Sequence, residues 1–270
     1  MKKVAVLGPK GTFSDLASQK YLNGTEYETI YFPSIDATVE GLKHADLAVV
    51  PIENTLDGYV QQTLDLILEH KFYVVDEIYV PVQFSLIAQV LKLSEIKRVY
   101  TQFVTKGQCQ QFLKKIPYEK LIITDSNMES YQMVLHGHQG DAAIVPFHMV
   151  DTYNGFKIQN VTDSSENFTR FFILAKKEGT KIEKEMKVSI VVVPINDRPG
   201  LLFDILGIFK KYDINLVSIM SRPTKKSMGN YNFFIEMKAK LNDQEKINQA
   251  LLEIKKDFFI QILGIYPTSK

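Results

Sequence analysis

A glycine-containing loop near the start of the chain, Gly8-Pro-Lys-Gly-Thr-Phe-Ser14, joins a predicted strand at Val4–Leu7 to a predicted helix. Glycines let the backbone approach a ligand closely, and the free amides and dipole of a helix N-terminus favour an anion. A carboxylate could therefore bind here. The loop lacks the Gly-Lys-Ser/Thr ending of a Walker motif and the spacing of a dinucleotide-binding turn, and an ordinary strand-to-helix turn is the alternative.

A second polar cluster, Glu53-Asn-Thr55, follows the hydrophobic strand predicted at Leu47–Ile52. In open α/β sheets the carboxyl ends of strands face the ligand crevice, so we expect these side chains to point towards the first loop. Asn and Thr are also common helix caps, which makes an ordinary cap and turn the alternative.

The third segment, Asn167-Phe-Thr-Arg-Phe171, stands at the entry to a strand predicted at Phe171–Ala175. An arginine offers a planar fork for a carboxylate, and a threonine hydroxyl can donate a hydrogen bond. Taken alone, the segment could equally be a surface Thr-Arg pair without a function.

Together the three segments resemble, in order and spacing, the signatures of the prephenate dehydratases. The likeness covers residues 1–176 and includes Gly8-Pro-x-Gly-Thr-Phe-Ser14, Pro51-Ile-Glu-Asn-Thr55 with Gly58, Asp141-Ala-Ala-Ile144, Tyr153 with Gly155, Asp163 and Thr169-Arg-Phe171. It implies a two-lobed α/β fold similar to type II periplasmic binding proteins, with the substrate in the cleft. The implied reaction is the decarboxylating dehydration of prephenate to phenylpyruvate in phenylalanine biosynthesis, a hydro-lyase reaction that needs no cofactor.

The resemblance also implies roles for individual residues. Thr169 would be the proton donor, and Arg170 would bind a carboxylate together with the amides around Thr12, Phe13 and Ser14. The remaining residues expected at the substrate are Glu53, Asn54, Thr55, Gln108, Ser126 and Phe171. Gln108 still matches, although many relatives have Ser-His-Pro-Gln where this chain has Thr101-Gln-Phe-Val104. We expect the three segments to meet around one doubly anionic substrate.

The C-terminal part resembles an ACT domain in Asp197-Arg-Pro-Gly-Leu-Leu202, Ile214-Asn-Leu216 and Ser221-Arg-Pro223. Such domains bind amino acids, so phenylalanine is the expected allosteric effector, at an interface between paired ACT domains of a dimer or tetramer. The expected contacts are Gly200, Leu201, Leu202, Asn215, Leu216, Ser221, Arg222 and Pro223. Met220 stands where the family usually has Glu, so one carboxylate of that site is absent.

The elements that position these residues follow from the hydrophobic pattern. Short β-branched or aromatic runs alternate with helical-period segments from Lys3 to about Ala175, which is typical of an α/β fold with largely parallel sheets. A charged linker follows at 177–185, and residues 186–268 show the βαββαβ order of a ferredoxin-like domain. Within the catalytic domain, 1–176, we expect one lobe from roughly 1–80 with 161–176 and the other from 81–160.

Composition excludes several other classes of protein. The 32 Lys and Arg balance 31 Asp and Glu, so no charge field favours nucleic acid or a membrane surface. No apolar run approaches the roughly 18 residues of a membrane span, and the N-terminus lacks a signal-peptide core, so we expect a cytoplasmic protein. Cys109 is the single cysteine, and the five histidines are scattered without a metal-binding motif.

Three alternative functions are left. A non-enzymatic ligand sensor would have a similar outline. An arogenate dehydratase performs the same elimination on the aminated substrate. A fusion to chorismate mutase has little room, since no long helical segment precedes residue 1.

Overall fold

The computed structural model describes residues 1–179, 185–194, 198–224 and 231–268. The strands are β1 Lys2–Leu7, β2 Tyr27–Phe32, β3 Leu47–Asn54, β4 Gly58–Tyr59, β5 Tyr73–Pro81, β6 Phe84–Ala88, β7 Arg98–Gln102, β8 Lys120–Thr124, β9 Asp141–Pro146, β10 Phe156–Ile158, β11 Phe168–Ala175, β12 Glu185–Pro194, β13 Leu216–Pro223, β14 Tyr231–Lys240 and β15 Phe258–Pro267. The α-helices are α1 Phe13–Tyr21, α2 Ile35–Gly41, α3 Gln61–His70, α4 Phe103–Gln108, α5 Gln110–Leu113, α6 Asn127–Leu135, α7 Leu201–Lys211 and α8 Gln244–Ile254.

Two sheets form the first 179 residues. One has the order β2-β1-β3-β11-β5, with β4 paired to β3, and the other has the order β10-β6-β9-β7-β8. The chain crosses between them after β5 and returns before β11, and the two crossings are joined where the Val82 amide donates to the Asn167 carbonyl at 2.8 Å. The α/β class and the two-lobed architecture are therefore confirmed.

Both sheets are mixed, so the expectation of largely parallel sheets was wrong. Strand β11 runs antiparallel to β3 and to β5 because the chain re-enters the first sheet from the second lobe. The sequence pattern missed β2, β4, β6 and β10. Apolar residues stand at helical spacing over 105–115, but the backbone leaves the helical region at Cys109 and separates α4 from α5.

The C-terminal domain follows the predicted βαββαβ order, with strand order β13-β14-β12-β15. Helices α7 and α8 cover one face of its sheet, where Ile205, Phe209 and Ile247 enter a shared core. The other face packs against the first lobe. Five of the predicted linker positions, 180–184, lie outside the described residues.

The contact between the C-terminal domain and the first lobe is a continuous apolar core. Phe234, Leu263 and Tyr266 of the C-terminal sheet lie in one cluster with core residues of the first lobe such as Ile67 and Phe172. Gly264 allows β15 to approach β5 closely, because a Cβ there would lie 2.0 Å from the Val74 carbonyl oxygen. Among the described helices, none has the length and apolarity to cross a bilayer.

Candidate active site

Strand β11 presents its side chains to two different environments. Phe171 and Ile173 pack in a core with Ala17 of α1, whereas Phe172 and Leu174 pack in the core shared with the C-terminal domain. Successive side chains of a strand point to opposite faces. Thr169 therefore shares its face with Phe171, and Arg170 lies on the face towards the C-terminal domain.

The Thr169 hydroxyl is held by Asn54, which lies directly opposite it in the pairing of β3 with β11. The Asn54 Nδ2 donates to Thr169 Oγ1 at 2.9 Å. The orientation of the amide is fixed, since Asn54 Oδ1 accepts from the backbone amides of Leu56 at 3.0 Å and Asp57 at 3.1 Å. Because Thr169 accepts this hydrogen bond, its own hydroxyl hydrogen is available to another acceptor.

A buried asparagine extends this network into the second lobe. Asn54 Nδ2 also donates to Asn167 Oδ1 at 2.9 Å, and Asn167 Nδ2 donates to Gln108 Oε1 at 3.0 Å. Gln108 Nε2 donates in turn to Asp57 Oδ2 at 3.2 Å. The side chains of Asn54, Thr169, Asn167, Gln108 and Asp57 therefore form one polar network between the lobes.

Two members of this interlobe network were missed from the sequence. Asn167 is fully buried and stands two residues before Thr169, so the alternation of β11 places both on one side and could have identified it. Asp57 has no comparable local signal. A pocket of about 420 Å³ lies beside the network, between the loop containing Asp57 and helix α4, and it is lined partly by the exposed Phe103.

Thr55 closes the entry of β11. Its amide donates to the Phe168 carbonyl at 2.9 Å, and its hydroxyl accepts from the Phe168 amide at 3.1 Å. Thr55 therefore holds the backbone immediately before Thr169. It lies next to the network, beside the third segment rather than the first loop.

The first loop contacts the second lobe. The Thr12 hydroxyl caps α1 by accepting from the Asp15 amide at 3.3 Å, and the Phe13 ring packs 5.5 Å from that of Phe84. His148 Nε2 lies 2.9 Å from the Gly11 carbonyl oxygen, and burial lowers the pKa of His148. The hydrogen bonds of Thr12 share no residue with those of Thr169.

Part of the predicted anion site is filled by the chain itself. The buried carboxylate of Asp15 accepts from the Gly11 amide at 2.8 Å and from the Tyr31 hydroxyl at 2.7 Å. The amides of Phe13 and Ser14 in the first turn of α1 have no partner within the helix. The backbone donors left for a ligand at this terminus are therefore at Phe13 and Ser14.

Ser126 lies across the cleft at the start of α6. Its hydroxyl caps the helix by accepting from the Glu129 amide at 3.0 Å. The same helix reaches the first loop, because a Cβ on Gly11 would lie 2.8 Å from the sulfur of Met128. The start of α6 also contacts α4, which carries Gln108, because the Thr105 hydroxyl donates to Asn127 Oδ1 at 2.7 Å. Contact of Ser126 with the substrate stays a prediction.

Arg170 and Glu53 lie on the opposite face of the sheet from Thr169. The buried guanidinium of Arg170 donates to Glu236 at 2.7 and 3.1 Å and to Glu77 at 3.2 Å, and it pairs with Glu53 at 3.0 Å. Neighbours in a strand alternate between faces, so the Arg170 side chain lies on the other side of the sheet from the Thr169 hydroxyl. Substrate binding by Arg170 and Glu53 stays a prediction that this arrangement does not support.

Phe171 shares the Thr169 face but lies in the interior. Its ring is 1% exposed and packs among core residues such as Val6 and Ala17. Phe171 therefore packs β11 against the core of the first lobe.

Two models of known protein families match this chain. A model described as prephenate dehydratase matches residues 4–179, and one described as ACT domain matches residues 189–256. This chain belongs to the prephenate dehydratase family. The resemblance noted from the motifs is confirmed for both parts of the chain.

Members of this family are similar to the chain over nearly its whole length. A prephenate dehydratase of Methanocaldococcus jannaschii is 34% identical over 98% of this chain and 98% of its own. An arogenate dehydratase of Petunia hybrida is 29% identical over 98% of this chain and 72% of its own. The solved structure of a prephenate dehydratase from Arthrobacter aurescens in complex with L-Phe has a TM-score of 0.85, with 27% identity over 98% of this chain and 90% of that one.

The residues predicted for the effector do not form one pocket within a single ACT domain. Gly200 begins α7 with a φ of 79°, and Asn215 precedes β13, whereas Pro223 ends it. Eight strand residues span about 25 Å, which separates Asn215 from Pro223. Leu201 is buried, Leu202 and Leu216 are half-buried, and Ser221 and Pro223 are exposed; Asp197 of the same motif lies outside the described residues.

Arg222 is engaged by the catalytic domain. Its guanidinium forms a bidentate pair with Asp65 of α3, at 2.9 Å from Nε and 2.7 Å from Nη2. Met220, at the position of the family's usual Glu, packs against the core shared by the two domains. Met220 is half-buried, so a carboxylate there would lose part of its hydration, and an apolar residue fits the environment.

Proposed function

We propose that this chain is a prephenate dehydratase that forms phenylpyruvate, carbon dioxide and water, using Thr169 as the group that assists the leaving hydroxyl. One observation carries this assignment: the fixed amide of Asn54 donates to Thr169 Oγ1 and leaves the hydroxyl hydrogen free to be donated. The site adjoins a cleft between two lobes, as a small-molecule enzyme requires.

The reaction needs positioning more than a strong acid. The bond between the ring and its carboxylate breaks, and its electron pair enters the ring as carbon dioxide leaves. Across the ring, the C–O bond breaks and the oxygen departs with its electron pair and a proton as water. A threonine hydroxyl is a weak acid, so it acts within a hydrogen-bonded chain that stabilises the leaving oxygen.

The carboxylates require donors at the cleft. The first-turn amides of Phe13 and Ser14, with the dipole of α1 behind them, suit one carboxylate of the substrate. Ser126, on the α6 side of the same loop, would complete that end. Gln108 would contribute through the interlobe network, which holds Asn54 and Thr169 in place.

The assay is direct. Purified protein mixed with prephenate should produce phenylpyruvate, recorded by its absorbance in alkali, whereas a heat-unfolded sample should not. A folded protein that binds prephenate without turning it over would be a ligand sensor, and that result would contradict the assignment.

Arogenate is a second candidate substrate, favoured by the similarity to the Petunia hybrida protein. The two substrates differ only in whether the side chain carries a keto or an amino group. Comparing kcat/KM for the two separates them, and we expect prephenate to give the larger value.

We also propose that phenylalanine binds between ACT domains of two chains and lowers turnover. The predicted effector residues lie at different ends of β13 in one chain, so a second copy is needed to bring such groups together. Calorimetry with L-phenylalanine, run beside light scattering, tests both points. A monomer that binds phenylalanine tightly would contradict the shared site.

A further inference from the structure

A buried group of charges joins the two domains behind Thr169. Arg170, Glu77 and Glu53 belong to the catalytic domain, and Glu236 and Lys187 belong to the ACT domain; we call these five residues the interdomain ion cluster. Arg170 binds Glu236 with both Nη atoms, and Lys187 Nζ lies 2.8 Å from both oxygens of Glu77. All of the five except Glu53 are buried.

The position of Glu236 is set by its own domain. Its Oε1 accepts from Ser189 Oγ at 2.9 Å and from the Tyr266 hydroxyl at 3.0 Å. Burial alone would raise the pKa of Glu236, but the Arg170 charge and its hydrogen bonds outweigh burial and lower it. A planar, bidentate pair of this kind fixes direction as well as distance. The ACT domain therefore determines where the Arg170 guanidinium lies.

The position of Arg170 affects that of Thr169 because the two residues are neighbours in β11. In the pairing of β11 with β3, Arg170 lies opposite Glu53 and Thr169 lies opposite Asn54. The ion pair and the Asn54–Thr169 hydrogen bond are thus adjacent rungs of one ladder, on opposite faces. Neighbouring Cα atoms are held about 3.8 Å apart, so a shift at Arg170 must be felt at Thr169.

The packing beside the cluster is incomplete. A cavity of about 800 Å³ lies between the domains, bordered by the ion cluster and by side chains such as Tyr59, Phe168 and Val217. Apolar contact does not fill the interface at this point. Charged pairs connect the ACT domain to β11 at this point, whereas Phe172 and Leu174 further along the strand pack in the shared apolar core.

We propose that Arg170 is a positioning residue, which holds Thr169 in its reactive place only while Glu236 of the ACT domain binds it. The proposal rests on the proposed function, in which Thr169 assists the leaving hydroxyl. It assigns Arg170 to contact with the ACT domain and not to contact with the substrate. It makes the docking of the ACT domain a condition for full turnover.

The test is Glu236→Gln, which keeps the shape of the side chain and leaves Arg170 its contacts with Glu77 and Glu53. We expect kcat to fall about tenfold, within the usual range for a coupling residue, with KM for prephenate changed less than about twofold. Lys187→Met is the matched control, because it removes an ion pair of the same interface that does not involve Arg170. It should lower the melting temperature and leave kcat within about twofold of wild type.

A readout independent of turnover separates this proposal from the proposed function. Amide hydrogen exchange at Phe168–Phe171 should become faster in Glu236→Gln and not in Lys187→Met, even if prephenate is not the substrate. Ser189→Ala, which loosens Glu236 but keeps its charge, should give a smaller change in the same direction.

Two results would overturn the proposal. One is a Glu236→Gln variant with wild-type kcat and unchanged exchange in β11. The other comes from the series Arg170→Met, Glu236→Met and the double variant. If Arg170 acts through Glu236, the kcat of the double variant is no lower than that of Arg170→Met alone. A large rise in KM in Arg170→Met that does not occur in Glu236→Gln would instead place Arg170 at the substrate.

Discussion

The two faces of β11 hold their polar side chains in different ways. On the Thr169 face, neutral amides and hydroxyls connect two lobes beside an open cleft, and each group keeps some hydrogen-bonding capacity. On the Arg170 face, buried charges pair with one another between two domains. Two adjacent residues of one motif can therefore belong to separate sites.

The energetics of the two faces differ as well. A neutral hydrogen bond contributes about 1 kcal/mol net, so an exchange with substrate or water costs little. Removing one partner of a buried ion pair costs about 3–5 kcal/mol, because the other charge is left without compensation. We therefore expect changes on the Arg170 face to lower stability and changes on the Thr169 face to lower activity.

The largest expected effect is on stability. Arg170→Met should lower the free energy of unfolding by about 3–5 kcal/mol, because buried Glu236 then lacks its main cation and Glu77 keeps only Lys187. Urea denaturation measures it. Adding Glu236→Met should restore part of the loss, and a single variant as stable as wild type would remove the contrast between the faces.

Next comes the loss of the hydroxyl. Thr169→Ala should lower kcat about 10²-fold or more with a smaller change in KM, the usual result of removing a positioned proton donor. Its melting temperature should stay near that of wild type. Thr169→Ser keeps the hydroxyl and serves as the control; near-normal turnover in Thr169→Ala would take this residue out of the reaction.

A smaller effect is expected at the centre of the interlobe network. Asn167→Ala should lower kcat about tenfold, because it leaves Asn54 and Gln108 each with one hydrogen bond fewer and loosens Thr169. Steady-state kinetics and a melting curve are the measurements. Gln108→Ala breaks the bonds to Asn167 and Asp57 but leaves the bond between Asn54 and Asn167, so it should be milder; the reverse order would mean that Gln108 contacts the substrate itself.

The smallest expected effect is a pH dependence of stability. The pKa of Glu236 is lowered in the folded protein, despite burial, by Arg170 and then Lys187. A carboxyl with a lowered pKa contributes stability above its ordinary value of 4.5 and loses it as the pH falls through the folded value. Unfolding free energies measured from about pH 5 downwards should therefore fall less steeply in Glu236→Gln than in wild type. Equal slopes would contradict a charged Glu236.

Hydrophobic patterning predicted most of the elements but not the pairings. β1 and β3 are runs of apolar residues, and their type follows from composition. β2 includes Glu28 and Thr29, and β10 is three residues long, so neither has a clear periodic signal. Membership of β11 in the first sheet depends on a return from the second lobe, which no local pattern encodes.

The candidate site shows the same division. The motif order and the alternation of β11 were readable from the sequence, and alternation alone should have separated Thr169 from Arg170. The hydrogen-bond partners of these residues could not be predicted from the sequence. Asn167 binds Gln108 across 59 residues of chain, and Arg170 binds Glu236 across 66.

The family, the order of the domains and the residue types able to assist an elimination follow from the amino-acid sequence, because these depend on local spacing and side-chain chemistry. That Thr169 faces the interlobe network and Arg170 faces the ACT domain follows from the folded chain. The role of each face of a strand depends on what packs against it, and here those partners come from distant parts of the chain.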